Sequence, residues 1–173
     1  MPEPAPPDPT WPRYTHHPFP AYRYVPGLSA HPRRDPDGHS AGRPEPTALP
    51  FAPDAWKTSQ TYLYGIDLYN FAYWWECHEQ LEALWHAVGE GSEMGSFLQG
   101  VIQVAAASLQ SFRGNVETAR ALAYRGLARH EGLTSPYMGL DLPLFRDGVT
   151  GFFEHRRALP AFIRLEGAIV VGD

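Results

Sequence analysis

Apolar side chains recur at helical spacing from about residue 54 onward, and not before it. In Ala119, Leu122, Ala123, Gly126 and Leu127 they fall at the three- and four-residue intervals that put them on one face of a helix. Stop signals divide this region. Asp54 is a candidate N-cap for a first helix over Ala55–Tyr69, and Asn70 ends it, because asparagine tolerates the left-handed conformation used at helix C-termini. A second helix is predicted over Tyr73–Val88, followed by a loop marked by Gly89, Gly91 and Gly95. A third runs over Glu93–Phe112 and stops at Arg113-Gly114. Asn115 caps a fourth over Val116–His130, closed by Gly132. A fifth covers Leu144–Arg157, stopped by Pro160, and the tail FIRLEGAIV is a short extended piece. No strand pairing and no internal repeat is visible. The expected fold is all-α, a compact bundle of about five helices with antiparallel neighbours, preceded by a proline-rich extended arm.

The arm is defined by composition. Fifteen of the 18 prolines lie in residues 1–53, where the fixed φ and missing N–H exclude regular helix. Domain division is accordingly expected at 53: arm and linker over 1–53, helical domain over 54–173. The first ten residues read as disordered. Trp11, Tyr14, Phe19, Tyr22, Tyr24 and Val25 then supply apolar anchors for an arm lying on the domain, and Pro26-Gly27 and Asp37-Gly38 are turn pairs.

Charge and cysteine content narrow the function classes. A formal charge of -5 and a pI near 5.9 argue against general nucleic-acid binding, which needs a basic face. A single cysteine excludes a disulfide framework and a Cys-rich zinc site. No apolar run reaches the roughly 20 residues that span a bilayer, and MPEPAPPDPTWPRY lacks the features of a secretory signal. The expectation is a cytoplasmic protein with no membrane and no nucleic-acid partner, of unassigned oligomeric state.

The second helix carries the candidate chemistry. With His78 as reference, Glu82 falls at about 40°, Trp85 at about -20°, Trp74 at about -40°, Trp75 at about 60° and Glu79 at about 100°. On this wheel His78 and Glu82 lie in the middle of an aromatic face, Glu79 lies at its edge, and Glu76 and Gln80 point to solvent. The third helix presents a glutamine stripe, Gln99, Gln103 and Gln110, that is expected to face the trio and satisfy it. Three interpretations stand. A buried hydrogen-bond network would fix helix register and make the domain a scaffold or interaction module. The string His78-Glu79-Gln80-Leu81-Glu82 also resembles the HExxH helix of zinc proteases with a carboxylate in place of the second histidine. His78 and Glu82 would then hold a divalent metal, with Glu79 as a catalytic general base. Third, Gln99, Gln103, Trp75 and Trp85 would line a pocket for a small polar or phosphorylated ligand.

A metal site needs a further donor, because glutamines are poor transition-metal ligands. His31 and His39 in the arm are the candidates, and Arg33 and Arg34 beside them suit an anion. The arm would then be a lid over the site. Cys77 reads as a core residue, its thiol pKa raised by Glu76 and Glu79; His86 as a partner of Glu82; His130 as a cation at a helix C-terminus.

The segments Leu68-Tyr-Asn70, Tyr73-Trp-Trp-Glu76-Cys-His78-Glu79-Gln-Leu-Glu82-Ala-Leu-Trp85 and Phe97-Leu-Gln99-Gly100-Val-Ile102-Gln103-Val-Ala105, with Gly114-Asn115, resemble a family of small helical prokaryotic proteins, the domain of unknown function number 309. The resemblance covers roughly Asp54 to Gly132 and rests on the paired HExxExxW and QGxIQ patterns. The stretch PGLSAHPRRDPDGHS is similar to an N-terminal extension of some members. A glycine expected shortly after Asn70 is Ala72 here, or is absent. The resemblance implies an all-α fold and no particular activity.

Overall fold

The computed structural model describes residues 3–171, and Met1, Pro2, Gly172 and Asp173 lie outside the described residues. Five α-helices form the body: α1 (Gln60–Asn70), α2 (Trp74–Val88), α3 (Glu93–Phe112), α4 (Val116–Ala128) and α5 (Leu142–Phe153). A 3-10 turn, Pro53–Thr58, precedes α1. Among the described residues there is no strand, only three isolated bridges, two of which pair tail residues with earlier chain: Leu140 with Leu165 and Arg13 with Val171. The all-α expectation holds, but the tail FIRLEGAIV is not one extended piece: it turns at Glu166-Gly167, where Gly167 has φ 73°.

Three helices differ from expectation in their boundaries. The first helix starts at Gln60 rather than Ala55, because Ser59 takes an extended conformation and its side chain accepts from the Tyr62 N–H. Serine competes with the helical backbone in this way, and so splits one predicted helix into a turn and a helix. The fourth helix ends at Ala128, two residues short of His130. The fifth begins at Leu142, N-capped by Asp141, and ends at Phe153, not Arg157. It is His155, with φ 58°, and not Pro160 that turns the chain, and the Gly151 carbonyl accepts from both Arg156 and Arg157 N–H. After α1, the left-handed residue is Ala72 (φ 63°), where the resemblance expects a glycine. Asn70 keeps helical geometry and uses its amide instead to clasp Ile163, donating to its carbonyl and accepting from its N–H, both at 2.8 Å.

Helix α3 is the centre of the bundle, packed on α2 at one side and α4 at the other. The backbones of α3 and α4 approach closely at Gly100 and Gly126. A Cβ on Gly126 would stand 2.7 Å from the Gly100 carbonyl, and one on Gly100 would stand 2.8 Å from the Gly126 carbonyl. On the α1–α2 side, a Cβ on Gly65 would meet Leu81 Cγ at 2.8 Å. These glycines set the helix spacing by having no side chain.

His130 lies next to this crossing. It is not a solvated cation at a helix end but is buried, stacked on Phe97 at 5.3 Å between centroids, with Nε2 3.1 Å from the Phe97 carbonyl. That contact requires Nε2–H to donate. Burial pushes the imidazole pKa down, opposed by the Phe97 bond and assisted by Arg146. The neutral form is therefore the native one. The unfolded chain takes up a proton near the usual value of about 6.5 while the folded chain resists. This contribution to stability is complete above about pH 6.5 and is lost as pH falls below it. Urea midpoints at pH 7.5 and 5.0 test the point. The drop should be larger for the wild-type chain than for His130→Gln, and equal drops would show that His130 does not carry it.

The proline-rich arm is built into the core. Tyr14, Tyr24 and Val25 are buried, Trp11 stacks on Phe162 at 4.1 Å, and Phe19 packs on Phe71 and Tyr73, each at 4.9 Å. Even its beginning is placed: Pro4 is buried and Glu3 stands 3.6 Å from Arg23. Residues 3–10, for which disorder is expected, are tied to later chain at Glu3, which accepts from Arg23 N–H, while the Asp8 carboxylate bonds Thr10 within the segment. For Met1 and Pro2 that expectation lies outside the described residues.

Candidate functional site

Two buried carboxylates hold the arm. Asp67, on α1, accepts from Tyr14 N–H (2.8 Å), Thr15 N–H (2.9 Å) and the Thr15 hydroxyl (2.7 Å), with Arg13 at 3.7 Å. Burial pushes its carboxyl pKa up, opposed by these donors and by Arg13. Glu76, on α2, accepts from Tyr24 N–H and contacts His39 Nε2, both at 2.9 Å. Glu76 is 6% exposed, not solvated as the helical wheel suggests. The wheel identifies the face turned to the bundle but is blind to a segment covering the opposite face. Asp67 shares the core-facing phase of α1 with Leu63, Ile66 and Asn70, a three- and four-residue spacing that could have marked it as a buried anchor.

The core line of α2 runs through Trp74, Cys77, Leu81 and Leu84. His78, Glu79 and Glu82 stand to one side of it, their side chains 34%, 26% and 38% exposed. The trio is thus a half-exposed surface cluster. One donor atom from each of the three lies within 4.8 Å of the others. His78 Nδ1 is 3.5 Å from Glu79 Oε1 and Nε2 is 3.8 Å from Glu82 Oε1. The His78 pKa is raised, first by the hydrogen bond to Glu79 and then by the charges of Glu82 and Glu79, against the opposing effect of burial.

The glutamine stripe does not meet this trio through hydrogen bonds. Among the described residues none joins Gln99 or Gln103 to His78 or Glu82; Gln103 Oε1 is buried without a partner, and Gln110 instead binds Arg113 and Asn115. Gln103 Cβ sits at the α4 side, near Gly126. Trp85 Nε1 is likewise buried without a partner, and its ring lies 4.8 Å from His86. His86 pairs with Glu90 at 3.3 Å rather than with Glu82. Cys77 is fully buried, and burial first, then Glu76, pushes its thiol pKa far up, so it is no nucleophile.

The arm histidines lie close to α2 with other partners. His31 packs edge-on to Trp75 at 5.7 Å, and its Nδ1 accepts from the N–H groups of Arg33 and Arg34. His39 is held by Glu76 and Ser40. Neither belongs to the His78–Glu79–Glu82 cluster. Arg33 reaches α2, with Nε 3.9 Å from Glu79 Oε2, while the Arg34 residue is exposed. Between arm and α2 lies a cleft of about 450 Å³ whose walls include Arg33, His39, Trp75, Glu76 and Glu79. Glu79 therefore faces both the surface cluster and the cleft.

Among the described residues, no helix is long and apolar enough to cross a membrane. Residues 62–122 match a family model described as Domain of unknown function (DUF309). That span contains all of α2 and α3 and bears out the resemblance read from the HExxExxW and QGxIQ patterns. No curated protein matches the chain.

Proposed function

We propose, for a chain that carries a DUF309 domain over residues 62–122, that the exposed edge of α2 is a divalent-cation site. The observation that carries it is the convergence of His78, Glu79 and Glu82 to within 4.8 Å on one half-exposed surface. His78 Nε2 and Glu82 Oε1 are one helical turn apart and face each other, the arrangement in which an i,i+4 pair chelates an ion. Glu79 lies on the other ring nitrogen, where a carboxylate fixes the tautomer and raises the basicity of the ligating imidazole. One imidazole with carboxylates suits zinc, manganese or iron better than calcium or magnesium, which take oxygen donors. The arm histidines stand outside the cluster, so the further donors would be water or a substrate oxygen rather than His31 or His39.

Isothermal titration of chelator-treated protein with zinc and manganese should show one equivalent bound. His78→Ala and Glu82→Ala should abolish the binding, and Glu79→Gln should weaken it by about 10–100-fold, the usual cost of losing a carboxylate behind a ligand. Absence of heat and of any thermal shift with either ion would overturn the reading.

A further inference from the structure

The cleft between the arm and α2 is a second, chemically different place. Its floor and walls are Phe19, Leu68, Trp75 and Tyr64, and its charged groups are Arg33, Arg43, Glu76 and Glu79. The volume of about 450 Å³ is in the range of small-molecule sites. Two of the charges are fixed. Arg33 Nη1 donates to the carbonyls of Arg43 and Pro44, at 3.2 and 3.1 Å, which holds the guanidinium in place. Glu76 is held through Oε1 by Tyr24 and His39.

These groups are not saturated by one another. Arg33 Nε makes no hydrogen bond, and its nearest carboxylate, Glu79 Oε2, is 3.9 Å away, beyond hydrogen-bond reach. Glu76 Oε2 is buried without a partner. Unpaired polar atoms at a buried wall cost free energy that a ligand or water can recover. Two guanidinium groups and two carboxylates around one cleft leave it near neutral, so an anion or a cation alone satisfies only half of it. We infer that the arm–α2 cleft binds a small zwitterion of the amino-acid class. Its carboxylate lies on Arg33 and Arg43, its ammonium between Glu76 and Glu79, and its side chain against Phe19 and Trp75. Guanidinium suits a carboxylate because its planar fork matches the two oxygens.

The inference is independent of the cation site, although Glu79 borders both. The test uses the full chain and the individual standard amino acids in a thermal-shift series, with titration calorimetry on those that respond. Acetate and propionate serve as carboxylate-only probes, and methylamine as the ammonium-only probe. At about 100-fold excess over its dissociation constant, the matching amino acid should raise the melting temperature by about 5–10 °C. Acetate, propionate and methylamine should not. Arg33→Met should lose the response, and so should Gln80→Trp, which fills the cleft and keeps every charge. His78→Ala should retain it while losing the cation, which separates this inference from the metal reading. Circular dichroism establishes that each variant is folded, and Gln80→Trp carries the test if Arg33→Met is not. No response to any amino acid would mean a cleft holding water only and would overturn the inference. So would equal binding of acetate, or an undiminished response in Gln80→Trp.

Discussion

Replacing Asp67 with alanine should lower the melting temperature by about 10–15 °C, equivalent to about 3–5 kcal/mol for a chain of this size. The carboxylate is fully buried and takes three hydrogen bonds from the arm. Its removal strands two backbone N–H groups and a hydroxyl in the interior, each costing about 1–3 kcal/mol when unsatisfied, partly offset by water entering the vacated space. Asp67→Asn should rescue only part of the loss. Tyr14 N–H donates to Oδ1 and Thr15 N–H to Oδ2, so one of the two would face an amide NH₂ instead of an acceptor. Thermal melts followed by circular dichroism check this, and a shift of under about 3 °C for Asp67→Ala would show that the arm is held by its aromatic contacts alone.

The second large effect is expected at Gly100. Gly100→Val should cost about 3 kcal/mol, the upper end of ordinary overpacking, and lower the melting temperature by about 6–12 °C. A Cβ there would run into the His130 ring, with Cδ2 at 2.6 Å, and into the Gly126 carbonyl at 2.8 Å. The ring could move only by giving up its bond to the Phe97 carbonyl. The carbonyl could move only by parting α3 from α4. A double-mutant cycle separates the two obstacles: Gly100→Ala should cost less in a His130→Ala background, though not nothing, because the carbonyl stays. Gly91→Ala is the matched control, since a Cβ there meets no atom within 4 Å. Equal melting temperatures for Gly100→Val and the wild-type chain would rule out the close crossing.

The central helices were legible because their signals are local. Helix α3 begins after Ser92, whose side chain accepts from Gly95 N–H, and ends before Gly114 at φ 82°. The stop at Arg113-Gly114 is the one read from the sequence, whereas the Ser92 cap is seen only in the structure. Ser59 carries little weight in the sequence, because one hydroxyl in an otherwise helical pattern does not distinguish a cap from a helix-interior serine. The site was harder. Trp56, Trp74, Trp75 and Trp85 do not share one environment: Trp74 and Trp56 are in the core, whereas Trp75 and Trp85 are only half-buried. The half-buried Trp75 and Trp85 widen the apparent apolar face of α2, so that His78 and Glu82 read as inside it when they lie at its edge. Glu76 went the other way, because an arm rich in proline has no period from which its burial could be read. The pairing of Asn70 with Ile163, 93 residues apart, has no local signature at all.

The arm's anchoring also orders events during synthesis. Tyr14 and Thr15 are made more than 50 residues before Asp67, and the Tyr14 hydroxyl waits 151 residues for the Leu165 N–H it accepts. At about 5–20 residues per second, several seconds pass between synthesis of the arm and synthesis of these partners. A segment of ordinary composition would be free in that interval to form helices or to pair as strands with neighbouring nascent chains. The prolines forbid the first and disfavour the second. The same residues that make the arm look structureless keep it extended until α1 and α2 present Asp67 and Glu76, so that a segment made before its partners takes its place only after them.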